Sequence, residues 1–584
     1  MLKPEEYLSD LPDDPANNFI EFLDYREANF ADHNAIYFRC GKQKEFTIWN
    51  YAKYAGECKR IARGLLAAGF KKGDRIALWC ENRPQWMAVW MGAAIAGCII
   101  VPIDFLISDE ETINILKFTK ARALFFSSRK ADFAKNLSSC GIKLDVLVQV
   151  TDNDDFDKFG MGLSTALPSS ETIAANDPVS IVFTSGTTGL SKGVTLSHKG
   201  IIANANAAVR ILRPDYRDTF INVLPLHHTY PTTCSFIVPL SLGIATIIVE
   251  KLVGPVVIGD IKDAKGTFLI AVPILYDKVM AGINANLQKI PLPVRLVINI
   301  WRKKALSEAK KGNFMWGRKK FLFLRKKAGL DSINVMVAGG GALAPKTADF
   351  FDSLGFNIVH GYGMSENGPL VSVSTPWHKN NVSVGLPVKY TEIKIVDQDD
   401  ENEEKKIGED GEIIVKSPSL MLGYYENPEA SAEMFTKDGF LKTGDLGFKD
   451  EDGFIYINGR KKNLIVSGGG KNIYPEEIET YFAASRVISE ILVIGRKDVK
   501  GEFIFAVAVP NMEFLKEDYP NTPLDNSFIF ALVKKEIEDV NRQLPSYKKI
   551  QDFTIRKEPF EKNAQQKVRR FMYKDYADPE KTPL

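Results

Sequence analysis

The sequence predicts an α/β protein built from layered, mostly parallel sheets. Helical segments and short apolar runs of strand length alternate from the first third of the chain onwards, which is the strand–helix–strand rhythm of parallel sheets. The chain of 584 residues is also too long for one compact core, so about four structural units are expected.

The elements follow in order. The start, MLKPEEYLSDLPDDP, is polar and acidic and lacks the basic start and apolar core of a signal peptide. Tyr54, Cys58, Ile61, Ala62 and Leu65 recur at helical spacing, and Gly69 and Gly73 close that segment. Ile76–Trp79 follows as a buried strand. The run 86–103 holds 18 residues without a charge, the lower limit for crossing a membrane. Its Gly92, Gly97 and Pro102 favour a buried helix ending near Gly97 and then a strand over Cys98–Val101. Further strands are expected at Ala123–Phe126, Val146–Val150, Ser180–Phe183, Thr246–Val249 and Val335–Val337. After about Gly385 the character changes, and 392–456 reads as short strands with glycine and acidic turns, a small antiparallel β unit. From about Asn463 an α+β module begins. Pro475, Glu476 and Glu477 make a good helix start, because proline suits the first turn and carboxylates the positive helix end. Ile491–Ile494 and Phe503–Val509 are its strands, with an amphipathic helix from about Asn526 and a polar tail.

Composition excludes several classes. Apolar residues make up 45% and charged residues 25%, as in a soluble globular enzyme, and 75 basic against 73 acidic side chains give no overall pull towards nucleic acid. The six cysteines show no paired metal spacing and stop at Cys234, which fits free thiols in a reducing compartment. Six histidines leave little for a His-built metal site. One local bias stands out. Residues 301–327 carry eleven Lys/Arg against one acid with aromatics interleaved. That pattern suits a solvated helical face or contact with an anionic membrane, where each basic residue gains roughly 1 kcal/mol.

The most informative stretch is SIVFTSGTTGLSKG, 180–193. An apolar strand runs into Thr184, Ser185, Gly186, Thr187, Thr188, Gly189, Ser191 and Lys192. Glycines let backbone N–H groups turn inward on phosphate oxygens, hydroxyls add donors, and the lysine brings a mobile positive charge. A Walker A loop would need Gly-Lys-Ser/Thr, and here the lysine stands between Ser191 and Gly193. Downstream come Gly339-Gly340-Gly341-Ala342, then His360-Gly361-Tyr362-Gly363-Met364-Ser365-Glu366, Lys442-Thr443-Gly444-Asp445 and Asn458-Gly459-Arg460-Lys461-Lys462. The stretch around Ser365 is no nucleophile elbow, because Asn367 stands where glycine is required. Glu366 likewise rules out a dinucleotide fingerprint beginning at Gly361.

In this order, the strings resemble those of the adenylate-forming (AMP-binding) superfamily, most closely its long-chain fatty acid–CoA ligases, over about residues 20–575. The resemblance implies a large N-terminal domain over 1–461, with α/β subdomains at about 1–175 and 176–385 and a β-barrel-like subdomain at about 386–461. A small mobile C-terminal domain would cover 462–584 and turn about Lys462. By the same resemblance the 184–189 loop and Lys192 hold the ATP phosphates, and Gly340, Gly341, Ala342, Gly361, Tyr362, Gly363 and Met364 line the adenine site. Ser365 meets the α-phosphate, Asp445 and Arg460 serve the ribose, and Thr184 and Glu366 bind Mg²⁺. His228, within LPLHHTYP, sits beside the substrate carboxylate. SGGGKNIYPEEIE brings Gly468, Gly469, Gly470 and Lys471 to the CoA arm, and Lys567 contacts carboxylate and phosphate in the first step. Gln566 stands where the family pattern has glycine before that lysine.

The implied activity is that of an acid–thiol ligase with ATP, Mg²⁺ and CoA. AVPILYDK, 271–278, and the basic segment favour a long-chain fatty acid over a medium-chain or aromatic one. An acyl carrier protein could replace CoA as acceptor, a luciferase-like oxygenase shares the motifs, and a catalytically inactive nucleotide-binding regulator is the alternative from another class. The expected location is cytoplasmic, with peripheral contact at the inner membrane face through 301–327 and no nucleic-acid partner. Oligomeric state is not legible.

Overall fold

The computed structural model describes residues 13–573, apart from 42, 152–153, 185–191, 377–378, 467–470, 483–484, 499–500 and 563–567. Two large sheets form the bulk of the chain. The first runs Gly423–Tyr424, Lys192–Ser197, Pro178–Thr184, Ile99–Pro102, Arg75–Trp79, Ala123–Phe126, Val146–Gln149, and its last five strands are parallel. The second has nine strands: Leu386–Pro387, Leu370–Val373, Asn357–Gly363, Val335–Ala338, Phe268–Ala271, Thr219–Asn222, Ala245–Ile248, Asn34–Phe38 and Thr47–Asn50. The strands from 357–363 to 34–38 are parallel and the outer ones antiparallel. Strands such as Val335–Ala338 and Phe268–Ala271 are buried along their whole length. That is why they read as unbroken apolar runs, since helices cover both faces of a parallel sheet.

The expected division at about residue 175 is corrected by the pairing. Residues 34–50 complete the second sheet, while 178–197 and 423–424 complete the first. Each apolar run joins the sheet where it finds a parallel or edge neighbour, whatever its place along the chain.

The run 86–103 is the helix Pro84–Ile95 followed by the strand Ile99–Pro102. Every residue from Trp86 to Ile95 is buried, so the missing polar face reflects packing on all sides. Among the described residues no helix is long and apolar enough to cross a membrane. The neighbouring helix Tyr51–Ala67 opens with the Asn50 side chain accepting from the Lys53 N–H, and it buries Tyr54, Cys58, Ile61, Ala62 and Leu65 at the expected spacing. The two helices touch at Gly92. A Cβ there would lie 2.7 Å from Ile61 Cβ and 2.8 Å from the Cys58 carbonyl oxygen, so only glycine permits the approach.

The small β unit is a four-stranded antiparallel sheet of Glu392–Val396, Gly411–Lys416, Leu441–Lys449 and Ile455–Arg460. Beyond it the α+β module has its own core. The helices Pro475–Phe482 and Asn526–Asn541 pack with the strands Ile488–Asp498, Gly501–Pro510 and Asp552–Ile555.

The basic segment lies within three helices, Leu292–Ala309, Phe314–Lys320 and Leu322–Ala328. Its arginines turn inward and its lysines outward. Arg302 Nε donates to Ser353 Oγ at 3.0 Å, Arg318 donates to the Ile333 carbonyl at 2.9 Å, and the buried Arg325 donates to the Gly355 carbonyl at 2.6 Å. Burial pulls the Arg325 guanidinium down to about 9. Planar, weakly hydrated guanidinium tolerates such burial better than ammonium does.

Candidate active site

The predicted phosphate loop connects two antiparallel strands, Pro178–Thr184 and Lys192–Ser197. Thr184 pairs with Lys192, and the Thr184 hydroxyl donates to the Lys192 carbonyl at 3.4 Å. Ser185, Gly186, Thr187, Thr188 and Gly189 lie outside the described residues. The paired ends of those strands nevertheless fix where Lys192 starts.

Lys192 Nζ sits 4.7 Å above the ring of Tyr424, whose hydroxyl donates to Glu366 Oε1 at 2.9 Å. Tyr424 reaches this place because Gly423–Tyr424 pairs with the strand Lys192–Ser197, Tyr424 opposite Val194. Glu366 is held from a second side by its own carbonyl, which accepts from Met421 N at 2.8 Å. Burial, with the Glu366 carboxylate beside it, raises the Tyr424 phenol, so it stays a donor at neutral pH.

Glu366 occupies a tight turn, Ser365–Asn367, immediately after the strand Asn357–Gly363. Three anchors hold that turn. Asn367 is buried and donates to the Leu370 carbonyl at 2.8 Å, Asn204 donates to the Asn367 carbonyl at 3.2 Å, and Ser365 Oγ lies 3.2 Å from Thr229 Oγ1. Gly363 must be glycine, since a Cβ there would fall 2.1 Å from the Pro369 carbonyl oxygen. Parallel pairing sets His360 beside Ala338, so the two glycine strings adjoin, and His360 Nε2 lies 3.1 Å from the Gly341 carbonyl. Gly340 takes φ +77°, and Gly339 meets the ring of Tyr230, leaving no room for a side chain. Ala342 follows the first of these strands, Gly361 lies within the second and Met364 comes just after it.

Asp445 and Arg460, which the resemblance assigns to the ribose, form an ion pair with each other. Asp445 and Arg460 stand opposite each other on adjacent strands, with Arg460 Nε 2.6 Å from Asp445 Oδ1. Tyr362 donates to Asp445 Oδ2 at 2.5 Å, which ties the strand Asn357–Gly363 to the Asp445–Arg460 pair. Burial and Asp445 raise the Tyr362 phenol. Burial works against the charge of Arg460, yet Asp445, Tyr362, Glu366 and Glu476 together raise its pKa. Asp445, Arg460, Tyr362 and Glu366 therefore share one field.

His228 begins the short turn Thr229–Pro231, beside His227 with ring centres 4.1 Å apart. Burial holds His227 down at about 3, so it is a neutral ring 3.5 Å from Asp104. The string 271–278 has a packing explanation. Tyr276 is fully buried and its hydroxyl donates to the carbonyls of Leu269, at 2.8 Å, and Val337, at 3.1 Å.

Lys462 lies in the turn Lys461–Asn463, directly after the last strand of the small sheet. Past it the C-terminal module turns one face to that sheet. Asn463 donates to Glu476 Oε1 at 2.5 Å, and Gly459 packs against Tyr474 and Glu476. Lys471 Nζ sits 4.4 Å over the ring of Tyr547. Gly468, Gly469, Gly470 and Lys567 lie outside the described residues. Arg570, three residues beyond Lys567 in sequence, pairs with Glu479, whose carboxyl burial lifts to about 7.

Tyr424 is the site residue that sequence reading missed. GYYENPEA carries no chemistry of its own, and only the long-range pairing with 192–197 gives Tyr424 its contacts. Among the described residues no group of three or more His, Cys, Asp or Glu is placed to hold a metal. One carboxylate with hydroxyls nearby does fit Mg²⁺, which keeps waters and takes much of its shell from substrate phosphates.

Comparison with known proteins is consistent across the chain. The family described as AMP-binding enzyme matches residues 23–425, and the AMP-binding enzyme C-terminal domain matches 462–579, starting at the residue expected to be the hinge. A long-chain-fatty-acid–CoA ligase of Bacillus subtilis is 28% identical over 541 residues, 86% of this chain and 88% of that one. A long-chain-fatty-acid–[acyl-carrier-protein] ligase of Arabidopsis thaliana, AEE15, is 24% identical, covering 86% of this chain and 78% of that one. Among solved structures, an anthranilate CoA ligase, AuaEII, with anthranoyl-AMP superposes with a TM-score of 0.77 at 21% identity, covering 98% of both chains. ATP-bound MatB from Rhodopseudomonas palustris gives 0.76 at 23%, covering 96% of this chain and all of that one.

Proposed function

The chain belongs to the AMP-binding enzyme family, and from that premise we propose that it joins a long-chain fatty acid to coenzyme A in two steps driven by ATP. The observation that carries the reading is the convergence of Lys192, Tyr424 and Glu366 with Tyr362, Asp445 and Arg460 around the end of the strand Asn357–Gly363. Cations, a metal-binding carboxylate and a ribose acceptor are the groups that a nucleoside triphosphate requires.

In the first step the fatty acid's carboxylate oxygen attacks the α-phosphorus of ATP, and the bond to the bridging oxygen breaks as pyrophosphate leaves. No protein nucleophile is needed, so the chain's work is positioning and charge neutralisation. Asp445 and Arg460 hold the ribose end, Tyr362 fixes Asp445, and Lys192 neutralises phosphate charge. Glu366 with Thr184 would hold Mg²⁺, which supplies further neutralisation of the leaving pyrophosphate. Lys567 supports the attacking carboxylate. In the second step the thiol sulfur attacks the acyl carbonyl, AMP leaves with the C–O electron pair, and the thiol proton is released to solvent. Turning of the C-terminal module about Lys462 exchanges Lys567 for the 467–471 segment.

The long-chain assignment draws on the ligases named above for that substrate, since Tyr276 is accounted for by packing. The test is pyrophosphate release with ATP, Mg²⁺ and acids from acetate to oleate, with and without CoA. CoA-dependent turnover rising with chain length is expected. Turnover confined to short or aromatic acids would remove the fatty-acid claim, and long-chain turnover only with an acyl carrier protein would reassign the acceptor.

A further inference from the structure

We propose that the outward face of the helix Leu292–Ala309 is a docking surface for an anionic lipid bilayer. The surface is a row of leucine and isoleucine running into lysine. The helix packs inward through Ile298, Ala305 and Ala309, all but fully buried. Its opposite side should then be polar in a protein surrounded only by water. Instead Leu292, Leu296 and Ile300, four residues apart and hence in one row, are 58%, 56% and 66% exposed, with Val294 and Val297 also exposed beside them. A contiguous exposed apolar row of this kind marks an interaction site.

The same row continues as Lys303, Lys304, Ser307 and Lys310, all exposed. Counting the two short helices that follow, eight exposed lysines stand within 303–327: 303, 304, 310, 311, 319, 320, 326 and 327. The segment's one acid is Glu308. Its three arginines, by contrast, are occupied inward on Ser353, Ile333 and Gly355, so the outer charge is carried by the lysines alone. Trp301 and Trp316 lie half-buried at the same level, beneath Lys320 and Lys304 respectively, each 5.2 Å from the ring. Aromatics at a polar–apolar boundary, aliphatic side chains beyond it and lysines around them are what an anionic bilayer surface accepts.

Charge selects this occupant over a second copy of the chain. A two-fold contact through the row would set lysines against lysines. The inference is independent of the catalytic reading, since it concerns where the protein sits and leaves open what it turns over.

The experiment is flotation of the full chain with vesicles of phosphatidylcholine alone or with added phosphatidylglycerol. Two variants accompany it, Leu296→Ser/Ile300→Ser and Lys303→Glu/Lys304→Glu; all four positions are exposed, so unfolding temperatures should match the parent. Binding to the phosphatidylglycerol vesicles is expected. It should fall about 25-fold or more in the lysine variant, at about five-fold per lysine. The serine variant should bind about ten-fold less tightly or worse. Three results would each overturn the proposal: equal binding to neutral and anionic vesicles, failure to bind either, or binding untouched by both variants. A concentration-dependent dimer that the serine variant dissolves would assign the row to a second copy, and capture by polyglutamate with no vesicle binding would assign it to an acidic protein.

Discussion

The Tyr424 hydroxyl donates to Glu366 Oε1 at 2.9 Å across 58 residues of sequence, and the same ring lies 4.7 Å beneath Lys192 Nζ. One aromatic side chain thus aims the carboxylate and holds the lysine.

Replacing Tyr424 by phenylalanine keeps the ring under Lys192 and removes the hydrogen bond. A bond to a charged acceptor contributes about 1.5–3 kcal/mol, so the Mg²⁺ concentration for half-maximal pyrophosphate release should rise roughly ten-fold or more while KM for the acid stays put. Leucine at 424 should add a rise in KM for ATP, because Lys192 then loses its platform too. An unchanged Mg²⁺ titration in the phenylalanine variant would show Tyr424 to be a packing residue only.

Asp445→Asn keeps the shape and removes the charge that meets both Tyr362 and Arg460. KM for ATP should increase about thirty- to hundred-fold, with kcat much less affected. Calorimetric titration with a non-hydrolysable ATP analogue measures the loss directly, and unaltered affinity would take Asp445 out of the nucleotide site.

His198 is a pH sensor of folding. It is buried, its Nδ1 accepts from the Phe19 N–H at 3.3 Å, and burial depresses its pKa to about 3. The folded state therefore keeps it neutral where the unfolded chain, at about 6.5, binds a proton. Its contribution to stability is intact above about pH 6.5 and is lost as pH falls from there towards 3, by up to about 1.4 kcal/mol per unit. His198→Gln should flatten the dependence of unfolding free energy on pH between 7 and 5 by up to one proton relative to the parent. Parallel curves would mean that His198 is not held neutral.

Lys567→Ala should suppress pyrophosphate release by at least about a hundred-fold, the scale of losing one preorganised charge in a transition state. Thioester formation from supplied acyl-AMP should proceed. Equal loss in both steps would withdraw the role assigned to Lys567.

Much of this architecture is legible in the sequence. The spacing of Tyr54, Cys58, Ile61 and Leu65 gave the helix because a helix buries one stripe, and that constraint is local. The strands flanking 185–191, the turn bearing Glu366 and the Asp445–Arg460 pair carry their signal in residue types at short spacing. Sheet membership does not. The sequence divides at about 175, yet 34–50 and 178–197 trade sheets, since strand pairing is decided by partners hundreds of residues away. Tyr424 escaped for the same reason. The basic segment was seen as a block of charge, and only burial separates its structural arginines from its outward lysines. The leucine row just before it carries no surface signal in sequence, because apolar residues at helical spacing ordinarily mean core.

The placement of Asn34–Phe38 also bears on how the polypeptide comes off the ribosome. Ile36 stands opposite Thr246 in the parallel pairing, so this early strand has no permanent neighbour on that side until more than two hundred further residues have been made. Closing so large a loop has an entropic cost that nothing local offsets, which delays the sheet and exposes a paired but uncovered hairpin meanwhile. Nascent chains stopped before residue 245 should be caught by chaperones or proteases. Release of the N-terminal sheets as a native unit should come abruptly, once the strand Ala245–Ile248 and its parallel neighbours out to Val335–Ala338 have emerged.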